Sequence, residues 1–72
     1  MENLWTYRSD SCGYMLYFDG KPVRGARTNG TATHTSDGRR RHWKHVRADA
    51  LMHSEQAATQ CARLNAAKAL PT

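Results

Sequence analysis

Apolar residues in the first third of the chain fall into short runs separated by turn residues. Residues 4–8 alternate with the two-residue period of a strand. Residues 14–18 are apolar at every position, which is typical of a central strand. Asp19-Gly20 follows directly and predicts a tight type I′ turn. Residues 23–27 are therefore expected to form the returning strand.

The middle of the chain has a different pattern. Residues 28–40 contain two turn dipeptides, Asn29-Gly30 and Asp37-Gly38, and few apolar side chains. Because little apolar surface offsets the entropy of ordering this stretch, the sequence predicts a flexible loop. Residues 40–47 are interpreted as a further strand. A domain this small needs its aromatic residues inside, so Trp43 is expected in the core and not as an exposed stacking platform.

The last third of the chain has helical spacing. Ser54 is a suitable N-cap, and Glu55 would lie in the first turn, where the helix macrodipole favours negative charge. Apolar and small residues recur at helical spacing at Ala57, Ala58, Cys61 and Leu64. These features predict a helix over residues 54–68.

Together these elements predict an α+β fold in a single domain. We expect a three- or four-stranded antiparallel sheet, spanning about residues 4–47, with one C-terminal helix packed on one face. Leu16 and Leu64 are expected to be buried and to meet between the sheet and the helix. The other face of the sheet would remain partly open and available for docking.

Composition limits the function classes. A length of 72 residues is too short for a multidomain enzyme, and 39% hydrophobic residues with a mean hydropathy of −0.82 provide for one thin core. No run of about 18 apolar residues is present, so no membrane span is expected. The N-terminal residues lack the basic and apolar regions of a secretory signal, so we expect a cytoplasmic protein.

The net charge of +5 is unevenly distributed. Residues 21–47 contain eight basic residues and a single acid, Asp37, so this segment carries +7 while the remainder carries −2. Phosphate or carboxylate on a partner is the natural complement, although such a segment is also typical of a merely solvated surface. The candidate partner-binding residues are Arg24, Arg27, Arg39, Arg40, Arg41, Lys44 and Arg47.

If residues 40–47 form a strand, side-chain alternation places these basic residues on two opposite faces. Arg39, Arg41 and Arg47 share the parity of Trp43 and would lie at the rim of the sheet if Trp43 were buried. Arg40 and Lys44 would point to the open face, which makes them the strongest candidates for partner contact.

Metal binding and catalysis have little support in the sequence. Cys12 and Cys61 are far apart and form no C-x-x-C motif, so no zinc site is expected. Without a secretory signal, no disulfide is expected either. His45, Asp49 and His53 have a spacing that would align them on one helix, but His45 falls in the predicted strand. With no phosphate loop or paired carboxylates, we expect a protein without cofactors that is not an enzyme.

The order of these features resembles a group of small proteins. The chain begins with a strand, which is followed by the hairpin Asp19-Gly20-Lys21-Pro22-Val23 and a basic strand. A helix comes last, which opens with Ser54-Glu55-Gln56-Ala57-Ala58 and closes on Ala62-Arg63-Leu64-Asn65-Ala66-Ala67. Over about residues 14–67 this order is similar to that of accessory proteins of bacteriophages and mobile elements, including some anti-CRISPR proteins.

That resemblance implies a monomer or homodimer that inhibits or modulates a host nucleic-acid-handling complex by stoichiometric binding. The partner would be a host protein or ribonucleoprotein, and the location the cytoplasm of the host cell. The alternative is an accessory or regulatory protein that binds DNA or RNA directly. Direct binding would weaken steeply with salt, whereas a protein inhibitor would co-purify with its target.

Overall fold

The computed structural model describes residues 4–27, 33–35 and 37–71. In these residues, three strands form one antiparallel sheet in the order β1-β2-β3, and a single helix follows. The predicted α+β class is therefore confirmed, with the smaller of the two expected strand counts. The elements are β1 (Trp5–Asp10), β2 (Gly13–Phe18), β3 (Lys21–Arg27) and α1 (Trp43–Ala66).

The β2–β3 hairpin forms as the sequence predicts. Phe18 pairs with Lys21 across a two-residue turn in which Asp19 has φ 54° and Gly20 has φ 81°. Positive φ at both positions is the hallmark of a type I′ turn, whose twist matches that of the flanking strands. The apolar strand β2 lies between β1 and β3, which confirms its central position.

The core lies between the sheet and the C-terminal half of α1. It consists of Trp5, Leu16, Ala57 and Cys61, and Leu16 is completely inaccessible to solvent. Small side chains on the helix let its backbone approach the sheet closely, while Trp5 and Leu16 supply the volume. Leu64 is half-buried and packs against this core, so the expected burial of Leu16 is confirmed and that of Leu64 is partial.

Trp5 is also fixed by polar contacts to the end of the helix. The Trp5 backbone N–H donates to Asn65 Oδ1 at 2.8 Å, and Asn65 Nδ2 donates to the Trp5 carbonyl oxygen at 3.0 Å. The Trp5 indole Nε1–H donates to the Ala69 carbonyl at 2.9 Å. The ring of Trp5 packs at 5.2 Å from that of Phe18. These contacts hold the first residue of β1 to the C-terminal turn of α1.

The predicted strand over residues 40–47 is wrong, and so is the helix start at Ser54. The helix begins at Trp43, and His42 is the N-cap, whose side chain accepts a hydrogen bond from the Lys44 backbone N–H at 3.2 Å. The helical spacing of Ala57, Cys61 and Leu64 continues toward the N-terminus through Trp43, Val46, Ala50 and His53. Alternation over such a short basic stretch cannot distinguish a strand from this longer pattern.

Part of the predicted loop over residues 28–40 is described. Residues 28–32 and 36 lie outside the described residues, and the predicted flexibility stays a prediction. His34 forms an isolated antiparallel bridge with Arg40, and the Arg41 backbone N–H donates to the Thr33 carbonyl at 2.7 Å. These contacts join residues 33–34 to residues 40–41, which lead directly into α1.

The molecule is elongated because the helix is longer than the sheet. Its longest extent is 44 Å, and the radius of gyration is 14.1 Å, against about 11 Å for a compact domain of this length. The helix spans about 36 Å, whereas a six-residue strand spans about 20 Å. The first buried helix residue is His53, whose Nδ1 lies 2.9 Å from the carbonyl oxygen of Asp10 at the end of β1. Residues 43–52 therefore project past the sheet.

A membrane-spanning role is not indicated by this helix. Within residues 4–27, 33–35 and 37–71, no helix combines the length and the apolarity that crossing a bilayer requires.

Replacing Leu16 by alanine is expected to destabilise the fold strongly. Removing a fully buried leucine side chain costs about 2–5 kcal/mol, which is a large part of the stability of a small domain. Leu64→Ala is expected to cost less, because Leu64 is only half-buried. Urea unfolding monitored by circular dichroism measures both values, and equal losses for the two variants would contradict the packing described here.

Candidate nucleic-acid interface

Five of the seven predicted partner-binding residues lie together around the N-terminus of α1. We call residues 39–47 the basic arm. Arg39, Arg40 and Arg41 precede the helix, and Lys44 and Arg47 lie in its first two turns. The arm belongs to the part of the molecule that extends past the sheet, so it is reachable from several directions.

The cations of the basic arm differ in their electrostatic partners. Arg41 forms an ion pair with Asp49, and both side chains are largely shielded from solvent. Arg39 Nε lies 3.8 Å from Asp37 Oδ2 in an exposed pair. For Arg40, Lys44 and Arg47, no carboxylate of the described residues lies within ion-pair distance. These three charges are the ones available to an external anion.

Asp37 is held in its ionised form by local hydrogen bonds. The Thr35 hydroxyl and the Arg39 backbone N–H donate to its carboxylate, and these bonds lower the pKa of Asp37. The only acid of the basic segment is therefore occupied within its own turn.

The expectation that Trp43 is a core residue is wrong. Its side chain is 62% exposed, because it occupies the first helical position, beyond the end of the sheet. The ring stacks on His42 with centroids 5.7 Å apart, and Lys44 Nζ lies 5.7 Å from the Trp43 ring centroid. The arm thus combines an exposed aromatic ring with adjacent cations.

The prediction that the arm residues alternate between two faces of a strand is also wrong, because Lys44 and Arg47 are in the helix. Residues three or four apart on a helix share a face, so Arg47 lies on the same side as both Lys44 and Trp43. Arg40 and Lys44 remain candidate contact residues, but they lie on the basic arm and not on the face of the sheet opposite the helix.

A shallow groove runs along the inner side of the arm. Its volume is about 670 Å³, and Trp43, Val46 and Ala50 contribute its apolar wall. Asp10 and Ser11, at the turn between β1 and β2, line the opposite side. The groove places the arm directly beside this end of the sheet.

The second basic surface is the sheet face opposite the helix, which we call the open face. Arg8, Met15, Tyr17 and Arg27 line a concavity of about 340 Å³ on this face. Arg8 pairs with Met15 across the β1–β2 ladder, and the Arg8 Cζ atom lies 5.7 Å from the Tyr17 ring centroid. The Met15 side chain crosses over Gly25, where even an added Cβ would come within 2.9 Å of it.

The two predicted site residues in β3 belong to different surfaces. Arg27 lies on the open face, opposite Gly13. Arg24 pairs with Leu16, a position that faces the helix, and is not among the residues that line the open face. Arg8, Met15 and Tyr17 are not among the residues predicted from the sequence. Side chains alternate between the two faces along β1 and β2. Once Trp5 and Leu16 are placed in the core, this alternation predicts that Arg8, Met15 and Tyr17 lie on the other face.

The helix brings His45, Asp49 and His53 into one register, so their predicted separation by a strand is wrong. Asp49 is paired with Arg41, and His53 is buried with its Nδ1 against the Asp10 carbonyl. In the described part of the chain, no three histidine, cysteine or acidic side chains are close enough to hold a metal ion. Cys61 is buried, and this burial raises the pKa of its thiol.

Comparison with protein-family models, with curated proteins and with solved structures gives no match.

The two tryptophans are expected to differ sharply in solvent access. Trp5→Phe leaves Trp43 as the sole indole, which should emit at long wavelength and be quenched readily by acrylamide. Trp43→Phe leaves Trp5, which is only 3% exposed and should be blue-shifted and poorly quenched. Poor quenching of Trp43 would show that the arm is packed inside the fold.

Chelation is expected to leave the fold unchanged. Because no metal-ligating cluster occurs among the described residues, dialysis against a chelator should not shift the melting temperature. A large decrease in the melting temperature, restored by adding zinc, would contradict this expectation.

Proposed function

We propose that the protein is a non-catalytic nucleic-acid-binding protein and that the basic arm is its main contact surface. The observation that carries this proposal is the position of three cations without acidic partners, Arg40, Lys44 and Arg47, on a helix end that extends past the sheet. Lysine and arginine on such a surface release counterions when they neutralise phosphates, which supplies affinity without sequence preference.

The orientation of the helix supports an anionic partner. The first turn of α1 contains no acidic residue, while Lys44 lies where the macrodipole is already positive. Cations at this end of a helix are unfavourable unless an anion is present. A bound phosphate would interact favourably with both the cations and the dipole.

Trp43 adds a contact that phosphate binding alone does not need. An exposed indole flanked by Lys44 can stack on a base or cover a sugar, and such stacking contributes about 1–3 kcal/mol. The aromatic ring and the cations share the first two turns of α1, so one strand of nucleic acid can contact both.

Inhibition of a host nucleic-acid-handling complex, which the phage-protein resemblance implies, has a different consequence. An inhibitor would direct the same arm to an acidic protein surface, and it would retain a protein complex from host lysate after nuclease treatment. Direct binding requires affinity for purified nucleic acid in the absence of any other protein.

Reversing two charges of the arm is expected to abolish binding without unfolding the protein. In Arg40→Glu with Lys44→Glu, affinity for a fluorescent DNA probe measured by anisotropy should fall at least about 100-fold, since charge reversal at an interface costs several kcal/mol. Thermal stability should stay the same or rise slightly, because glutamate near a helix N-terminus gains about 0.3–1 kcal/mol.

The matched control is Lys21→Glu with Arg24→Glu. It changes the net charge equally but alters β3, whose first residue lies at the opposite end of the sheet from the arm. The control should retain most of the affinity. If both double variants lose binding equally, binding follows net charge alone and the arm is not a defined contact surface. Unfolding of the arm variant would show that these residues are structural.

A further inference from the structure

We propose that the open face is a second contact surface, which enters the major groove of a B-form DNA duplex while the basic arm contacts the adjacent backbone. This inference rests on the proposed function and specifies its ligand. It assigns direct contacts with base edges to Arg8, Met15, Tyr17 and Arg27.

The side chains of the open face suit the edges of base pairs. An arginine guanidinium can donate two parallel hydrogen bonds to guanine O6 and N7, and apolar groups can contact the methyl group of thymine. Arg8 and Arg27 have no carboxylate of the described residues within ion-pair distance, although Asp10 lines the same concavity. The Asp10 carboxylate instead accepts hydrogen bonds from the Cys12 and Gly13 backbone N–H groups, so the arginine donors are not committed to an acid. Met15 and Tyr17 provide the apolar surface between them.

The dimensions of the sheet favour the major groove of B-form DNA. The groove is about 12 Å wide and admits a two-stranded ribbon. Neighbouring strands lie about 4.8 Å apart, so the axes of the three strands that carry Arg8, Met15, Tyr17 and Arg27 span about 10 Å, which is less than that width. Helix α1 packs on the opposite face and does not obstruct the approach.

The open face and the arm adjoin the same end of the sheet. Asp10 lines both the concavity of the open face and the groove beside the arm. Residues 43–52 extend about 15 Å past this end. With the open face in the groove, the arm extends past the end of the sheet toward the bordering phosphates, and phosphate contacts there would fix the orientation of the protein on the duplex.

A single strand fits the open face less well. Single-strand binders stack successive bases on several aromatic rings along a charged channel. Tyr17 is the only aromatic residue of the described strands whose side chain the register places on the open face, since the Tyr14 side chain accepts a hydrogen bond from Gln60 on the helix side. A-form RNA duplexes have a deep and narrow major groove that side chains cannot enter, so they would contact only the arm.

The test compares three fluorescent probes that share one mixed sequence. They are a DNA duplex of about 20 base pairs, one of its single strands, and the corresponding RNA duplex. Wild-type protein should bind the DNA duplex at least about 10-fold more tightly than the RNA duplex. Arg8→Ala with Arg27→Ala should remove that preference and lower duplex DNA affinity at least about 10-fold. Single-strand affinity should fall only about two- to threefold, as expected for two lost charges.

The matched control is Lys21→Ala with Arg24→Ala, which removes the same charge outside the open face. It should keep the preference for the DNA duplex. A duplex that contains 7-deazaguanine, which lacks the N7 acceptor, provides an independent measure. Wild-type protein should bind this duplex more weakly than the normal duplex. The Arg8→Ala/Arg27→Ala variant should bind the two duplexes equally.

The outcomes separate this inference from the proposed function. If wild type binds all three probes equally, or the open-face variant loses affinity equally for all of them, the open face does not enter the groove. The arm then remains the nucleic-acid contact if its charge-reversal variant loses binding. If wild type binds none of the probes, both proposals fail. Circular dichroism and melting temperatures of each variant confirm that the comparison is between folded proteins.

Discussion

The reciprocal hydrogen bonds between Trp5 and Asn65 determine how the helix lies on the sheet. They join the first residue of β1 to the last turn of α1, and the indole N–H extends the attachment to Ala69. With that end fixed, the small residues Ala57 and Cys61 bring the helix close to Leu16. Because α1 is much longer than any strand, its other end can only extend past the sheet. The exposed position of the arm is therefore a consequence of attachment at the opposite end.

The arm departs from the local rules that favour a stable helix. Its first turn lacks an acid, its cations lie near the positive end of the macrodipole, and Trp43 is left in solvent although the core of the domain is small. Departures of this kind are typical of functional surfaces, where binding compensates for lost stability. The solvated-surface interpretation explains the cations, but it does not explain an exposed tryptophan among them.

The elements that the sequence predicts correctly are those whose local preferences and tertiary environment agree. The continuous apolar run of β2 and the Asp19-Gly20 turn each favour a single conformation. The start of α1 is different, because the arginine run and Trp43 are compatible with either a strand or a helix. Ser54 is a good N-cap residue, but the helix continues through it since His53, Ala57 and Cys61 are already buried on one face. The candidate site was only half predictable for the same reason. The cluster of cations and an open sheet face are both predicted from the sequence, whereas the residues that line this face follow only from the pairing of β1, β2 and β3.

A rigid connection between the arm and the open face has a thermodynamic consequence. The described arm continues without a break into α1, and α1 is attached to the sheet by a buried core and by hydrogen bonds at Trp5 and His53. Two surfaces held in a fixed relation do not lose linker entropy when both engage one ligand. Binding at the first surface then presents the second at a high effective concentration, provided that the ligand matches their spacing. In the function proposed above, such a molecule would discriminate between nucleic acids by shape, because a ligand that reaches only one of the two surfaces gains only part of the available affinity.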